Sequence, residues 1–168
     1  MCSQANNTTL AAGVTGQIMT RADIAYFGHA FVAAAQWANA WFSVTARMNP
    51  QVVAAISRIP ENAWTPIAIP KAVWEEAEGR WVSEAEVAET TITVFTSRPK
   101  RDHVTCRLVV RRGKRLNPAH PNQGELFEAY RHHGFITNSA LSTIAAAQSH
   151  RHQAVIEQVP GPPTPANV

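Results

Sequence analysis

The chain has 168 residues, 45% of them hydrophobic: enough for one domain with a sizeable core, and too apolar for a disordered chain. Its formal net charge of +3, from 15 Lys and Arg against 12 Asp and Glu, permits a polyanionic partner without requiring one. Cys2 and Cys106 make neither a disulfide framework nor a CxxC zinc pair, no signal peptide is legible at the start, and no apolar run reaches the roughly 18 residues of a membrane span, so a cytoplasmic protein with no membrane partner is expected.

Residues 1–9 are polar and aperiodic, and read as a disordered lead-in. "GQIMTRAD" (16–23) has short β-compatible character and ends on an acid. "AYFGHAFVAAAQWANA" (25–40) is Ala-rich with Phe27, Phe31, Ala34, Ala35 and Ala38 at helical spacing, which predicts a helix. "AWFSVTARM" (40–48) is aromatic and β-branched and predicts a buried strand. "NPQVVAAISRIP" (49–60) predicts a helix that opens on an Asn49 N-cap with Pro50 at N1 and stops at Pro60. Strand and helix alternating in this way indicate an α/β layer arrangement.

The texture changes after Pro60. "AVWEEAEGRWV" (72–82) reads as a hairpin around Glu76–Gly79 with Trp74 and Trp81 flanking the turn. "AEVAETTITVFTS" (85–97) and "VTCRLVVRR" (104–112) alternate with period two, and "FEAYRHHGFITN" (127–138) adds a further strand. Residues 60–138 are therefore a β-rich stretch set between α/β elements. Helical pattern returns at "SALSTIAAAQSHRHQAVIEQV" (139–159), as one helix or two short ones, and "PGPPTPANV" (160–168) is too rich in proline to continue it.

Several residues carry chemistry. Asp23 follows a short strand, and in α/β sheets functional groups collect at the carboxyl ends of strands; the simpler reading, which local sequence favours, is an N-cap for the next helix. Glu157 lies among Ala154, Val155, Ile156 and Val159, where a solvated edge position is the ordinary role. Two such carboxylates could share Mg²⁺, which takes oxygen ligands, though spacing does not show that they meet. Residues 98–115 hold eight of the fifteen basic residues (Arg98, Lys100, Arg101, Arg107, Arg111, Arg112, Lys114 and Arg115) against the single acid Asp102. That density suits a phosphate-contacting face, and equally a charged edge strand guarded against aggregation. The "RHH" (131–133) and "HRH" (150–152) clusters match no zinc spacing. Trp64, Trp74 and Trp81 offer surfaces for base stacking, with core packing as their default role.

At "RADIAYFGHAFVAAA", "WFSVTARMNPQVVAAISRIPENAWTPI", "RWVSEAEVAETTITVFTSR", "RLVVRR" and "HRHQAVIEQV", the chain resembles bacterial insertion-sequence transposases of the DDE type, most closely those of actinobacteria, over roughly residues 10–159. The resemblance implies a ribonuclease-H-like α/β core (10–59), interrupted by a β-rich insertion (60–138) before the helix of the catalytic Glu (139–159). It implies that Asp23, in "RAD", is the second catalytic Asp, and that Glu157, in "IEQV", is the catalytic Glu. Both would hold Mg²⁺ or Mn²⁺ for cleavage and strand transfer of DNA at the ends of the element. The insertion would contact that DNA, in keeping with the basic stretch, and the protein partner would be a second copy or a full-length transposase.

The departures from the family pattern are specific. No strand-borne acid stands for the first catalytic Asp among the 22 residues before Asp23, and Gln153 replaces the basic residue expected four positions before the Glu. Family-like sequence stops at Val159. These differences lead us to expect a fragment truncated at both ends, weak in metal binding and inactive alone. The alternative is a non-catalytic DNA-binding or regulatory fragment that uses the basic β insertion.

Overall fold

The computed structural model describes residues 16–75, 80–114 and 130–156, in which three α-helices pack on one six-stranded mixed sheet. The lead-in 1–9, the turn 76–79, Arg115, Glu157 and the segment 160–168 lie outside the described residues. The strands are β1 (Met19–Ala22), β2 (Trp41–Thr45), β3 (Thr65–Glu75), β4 (Arg80–Val94), β5 (Val104–Lys114) and β6 (Tyr130–Thr137). Their order across the sheet is β1-β2-β6-β5-β4-β3, with β1 and β2 parallel and every other neighbouring pair antiparallel.

The crossover from β1 to β2 carries α1 (His29–Trp37), which starts later than the Ala-rich pattern predicts. Asp23 caps a short 3₁₀ turn at Ile24–Tyr26, its Oδ1 accepting the Ala25 N–H at 2.9 Å, and Gly28 is extended before α1 begins. At the other end, the Asn39 N–H reaches the Gln36 carbonyl (3.0 Å) and the Ala40 N–H reaches the Ala35 carbonyl (2.9 Å), with Asn39 at φ 51°. Those paired bonds stop the helix and turn the chain into β2; Asn tolerates the left-handed position better than most residues. The next helix, α2 (Pro50–Ile56), forms as its sequence predicts, with Asn49 Oδ1 accepting the Val52 N–H at 2.9 Å and Pro50 at the start.

The β-rich stretch supplies the other four strands. The hairpin of β3 and β4 aligns Trp74 with Trp81, as expected, and β4, β5 and β6 follow as an antiparallel meander. Period-two alternation sorts its side chains. Ala88, Ile92, Cys106, Leu108, Val110 and Ile136 face α1 and α2 and join Phe42 and Val44 in the main core. Val87, Val109 and Phe135 point the other way, against Ala146 of α3 (Thr143–Ile156), a single helix that crosses the sheet from β4 and β5 to β1.

This meander joins the sheet of the α/β unit at one short pairing: β2 and β6 pair at Ser43–Thr45 with Phe135–Thr137, and the Ala46 N–H donates to the Gly134 carbonyl (2.8 Å) just beyond. Two side chains extend it. Thr137 Oγ1 donates to the Phe42 carbonyl (2.6 Å) and accepts the Ser139 N–H (3.1 Å), and Asn138 Oδ1 accepts the Phe42 N–H (2.7 Å). Thr137 is fully buried, so its hydroxyl satisfies groups that water does not reach. Thr137→Val keeps the shape but leaves the Phe42 carbonyl and Ser139 N–H without this partner, and is expected to cost about 2 kcal/mol in urea denaturation.

Candidate nucleic-acid interface

The sheet topology decides which sequence-remote residues share an end. Strands β1, β2 and β5 run the same way, so Asp23, just past β1, lies at the end of the sheet toward which β5 carries Arg111 and Arg112. The register links Ala22 through Val44 and Ile136 to Leu108, placing Arg111 three residues beyond that level. With strand spacings of about 4.8 Å and about 3.3 Å per residue, the Asp23 and Arg111 backbones stand roughly 15 Å apart. A duplex covers that span in about four base pairs at 3.4 Å each.

Alternation sends Arg111 and Arg112, neighbours in sequence, to opposite faces. Arg112 enters the side of α2 and is caged there. Its Nη1 and Nη2 donate to the two carboxylate oxygens of Glu61 (3.0 and 2.7 Å), and its Nε donates to Glu86 (2.7 Å). Its guanidinium lies 4.2 Å from the Trp64 ring centre and 4.3 Å from that of Tyr130. The Glu61 and Glu86 bonds hold it charged, above the ordinary arginine range, against the opposing effect of burial. With 6% of its side chain exposed, Arg112 is a packing element that fastens the Glu61–Ala63 turn to β4 and β5. It also fills the space between Trp64 and Tyr130, and all three line a 540 Å³ cleft together with Met48, Val53 and Ile56.

The remaining basic residues of 98–115 divide along the strand. Arg98, Lys100 and Arg101 sit in the β4–β5 turn at the opposite end of the sheet, where Arg98 and Arg101 pair with Asp102 (3.1 and 3.7 Å). Arg107 ion-pairs with Glu89 and donates to the Ser139 and Leu141 carbonyls (2.6 and 2.8 Å), tying the approach to α3 onto β5. Burial raises the Glu89 pKa, but its bonds from Arg107 and Thr143 outweigh that and leave it below the ordinary value. Lys114 ends β5 opposite Tyr130.

On the α3 side, basic groups collect without such compensation. Arg111 is the register partner of His133, and Arg131 that of Gly113, while α3 brings Arg151 over the same strands. Burial, and then the like charges of Arg151 and Arg131, push the Arg111 pKa down. His133 is likewise lowered by partial burial and by Arg111 and Arg131. Among the described residues, no carboxylate bonds to Arg111, Arg131 or Arg151. Arg21 completes the group: its Nη2 donates to Ser149 at 2.7 Å, and its Nε is buried without a hydrogen-bond partner. Arg21, Arg131, Arg151 and His133 lie outside the basic run and are invisible to composition; only the β5–β6 register and the seating of α3 unite them with Arg111.

His150 seats α3. Its ring stacks on Phe135 (centroids 4.2 Å apart, 8° between planes), and its two nitrogens contact Ser43 Oγ (2.8 Å) and Thr45 Oγ1 (3.1 Å). With Ser149 on Arg21, this holds the helix against β1 and β2, two residues of sequence before Asp23.

Asp23 is exposed and caps the 3₁₀ turn through Ala25 rather than the helix that local sequence predicts it to cap, whose N-cap is Gly28. Mg²⁺ takes several oxygen ligands, and among the described residues no group of three or more His, Cys, Asp or Glu side chains assembles to hold a metal. The described residues do not by themselves make a metal centre. The Cys106 thiol is buried and pushed up to about 12 by that burial, which leaves it a poor nucleophile. No helix among the described residues is long and apolar enough to cross a membrane. Compared with known proteins, the chain matches no protein-family model and no curated protein.

The His150 environment predicts an acid sensitivity. Burial first, then Arg21 and Arg111, lowers its pKa from 6.5 to about 4. Between these values the unfolded chain binds more protons, so stability is fully present above pH 6.5 and is lost as pH falls through about 4. The contribution is about 3 kcal/mol. Urea denaturation between pH 7 and pH 4 is expected to show this loss, with a shallower slope in His150→Gln; an unchanged slope in that variant would contradict the assignment.

Proposed function

We propose that this chain is part of a DDE-type transposase with a ribonuclease-H-like core, and that it works on DNA along the sheet end that carries Asp23 and Arg111. The observation that carries the reading is the uncompensated group Arg111, Arg131 and Arg151 on the α3 side of that end. Arg111 and Arg151 are partly buried and Arg131 is exposed beside them, and like charges held close are unfavourable unless a polyanion neutralises them. Two further features support it: Asp23 stands exposed past the carboxyl end of a strand in a parallel pair, and the helix whose sequence leads to Glu157 is fastened to that strand through Ser149 and Arg21.

In this reading Asp23 and Glu157 would be the carboxylates that hold Mg²⁺ or Mn²⁺, the ion would supply charge neutralisation for cleavage of a DNA phosphodiester, and Arg111 and its neighbours would hold the backbone. The second reading, a non-catalytic DNA-binding or regulatory protein, is favoured by the Asp23–Ala25 bond, which gives Asp23 a structural task.

Fluorescence anisotropy with a labelled 20-base-pair duplex tests the shared claim. Affinity is expected to fall steeply with salt, the logarithmic slope reporting about three neutralised phosphates. The purified chain is expected not to nick element-end DNA in Mg²⁺ or Mn²⁺. Specific nicking that Asp23→Asn abolishes would establish the enzymatic reading, and salt-independent or absent binding would remove both.

A further inference from the structure

We infer that Arg111, Arg131 and Arg151 form one phosphate-binding site between β5, β6 and α3, built to receive a backbone phosphate of duplex DNA. This deepens the proposed DNA contact and rests on it. The site is assembled from three separate segments: Arg111 from β5, Arg131 from the start of β6 and Arg151 from α3. Its parts are held from behind. The β5–β6 ladder sets Arg131 two residues from His133, which stands directly across from Arg111. The His150 ring, stacked on Phe135 and bonded to Ser43 and Thr45, fixes the helix turn that presents Arg151.

Arg112 shows the contrasting case one residue away. This chain surrounds a structural arginine with two carboxylates and two aromatic rings. Arg111 has none of these: the described charges acting on it are those of Arg131 and Arg151, and His133 stands across from it on β6. The one carboxylate described on this face of the sheet beside α3, Glu89, is already shared between Arg107 and Thr143. A doubly liganding anion such as a phosphodiester offers oxygens to more than one guanidinium, matching their fork of donors and removing the repulsion in the same step.

This assignment separates binding from stability in a way that a structural arginine would not. Arg111→Met keeps the apolar stem and deletes the charge. In the full chain it is expected to raise the thermal midpoint by about 2–4 °C, while DNA affinity falls roughly tenfold and the salt slope drops by about one. Arg151→Met is expected to weaken DNA in the same way, giving a second variant that leaves β5 untouched. Inorganic pyrophosphate serves as the small probe and is expected to raise the wild-type midpoint but not that of Arg111→Met.

A lower midpoint for Arg111→Met with DNA affinity unchanged would overturn the site and leave the broader DNA reading standing. Stabilisation by pyrophosphate through Arg111, without duplex binding by the wild type, would keep the anion site and sink the DNA reading. A wild-type chain that responds to neither probe would overturn both.

Discussion

The short pairing of β2 with β6 is the contact on which the rest depends. It joins the β1–α1–β2 unit to a meander that begins about twenty residues later in sequence, through three register pairs and the side chains of Thr137 and Asn138. The core is continuous across it, since Phe42 and Val44 pack with Ile136 and Leu108. The joint sets the register that puts Asp23 and Arg111 toward one end of the sheet, and α3, bonded to Arg21 of β1 and packed on β5, supports the same relation from one face.

Charge is handled differently on the two faces of that sheet. On the α2 side, a fully desolvated guanidinium would be costly alone, and Glu61, Glu86, Trp64 and Tyr130 supply the compensation. On the α3 side the sheet keeps Arg111, Arg131 and Arg151 near one another and gives Glu89 to Arg107 instead. The same residue type thus serves packing in one place and stands without a described carboxylate partner in the other, one residue apart. The polar contacts of His150 and Arg21 matter here because they set where the helix lies, and so which charges meet.

Local signals made much of the fold legible. Asn49 and Pro50 announced α2, the alternation in 85–112 announced β4 and β5, and the flanking tryptophans announced the hairpin. The late start of α1 was not legible, because an Ala-rich pattern does not reveal that Asp23 would spend its carboxylate on a 3₁₀ turn. The site was only half legible. The basic run drew attention to β5, yet period-two geometry splits it between faces and ends, and sequence does not say which face is caged. Arg131 and Arg151 were passed over inside histidine clusters weighed as metal ligands; their part depends on a register between segments about twenty residues apart and on a helix crossing the sheet.

The central claim is that DNA meets the α3 side of the sheet and leaves the caged arginine undisturbed. Arginine Nε–Hε resonances, recorded by NMR on the full chain during titration with a 20-base-pair duplex, test it directly. The account predicts that the Arg111, Arg131 and Arg151 signals shift together and saturate at one concentration, while that of Arg112 stays fixed. Shifts confined to Arg98 and Arg101 in the β4–β5 turn, or a perturbed Arg112 with Arg111 unmoved, would contradict it.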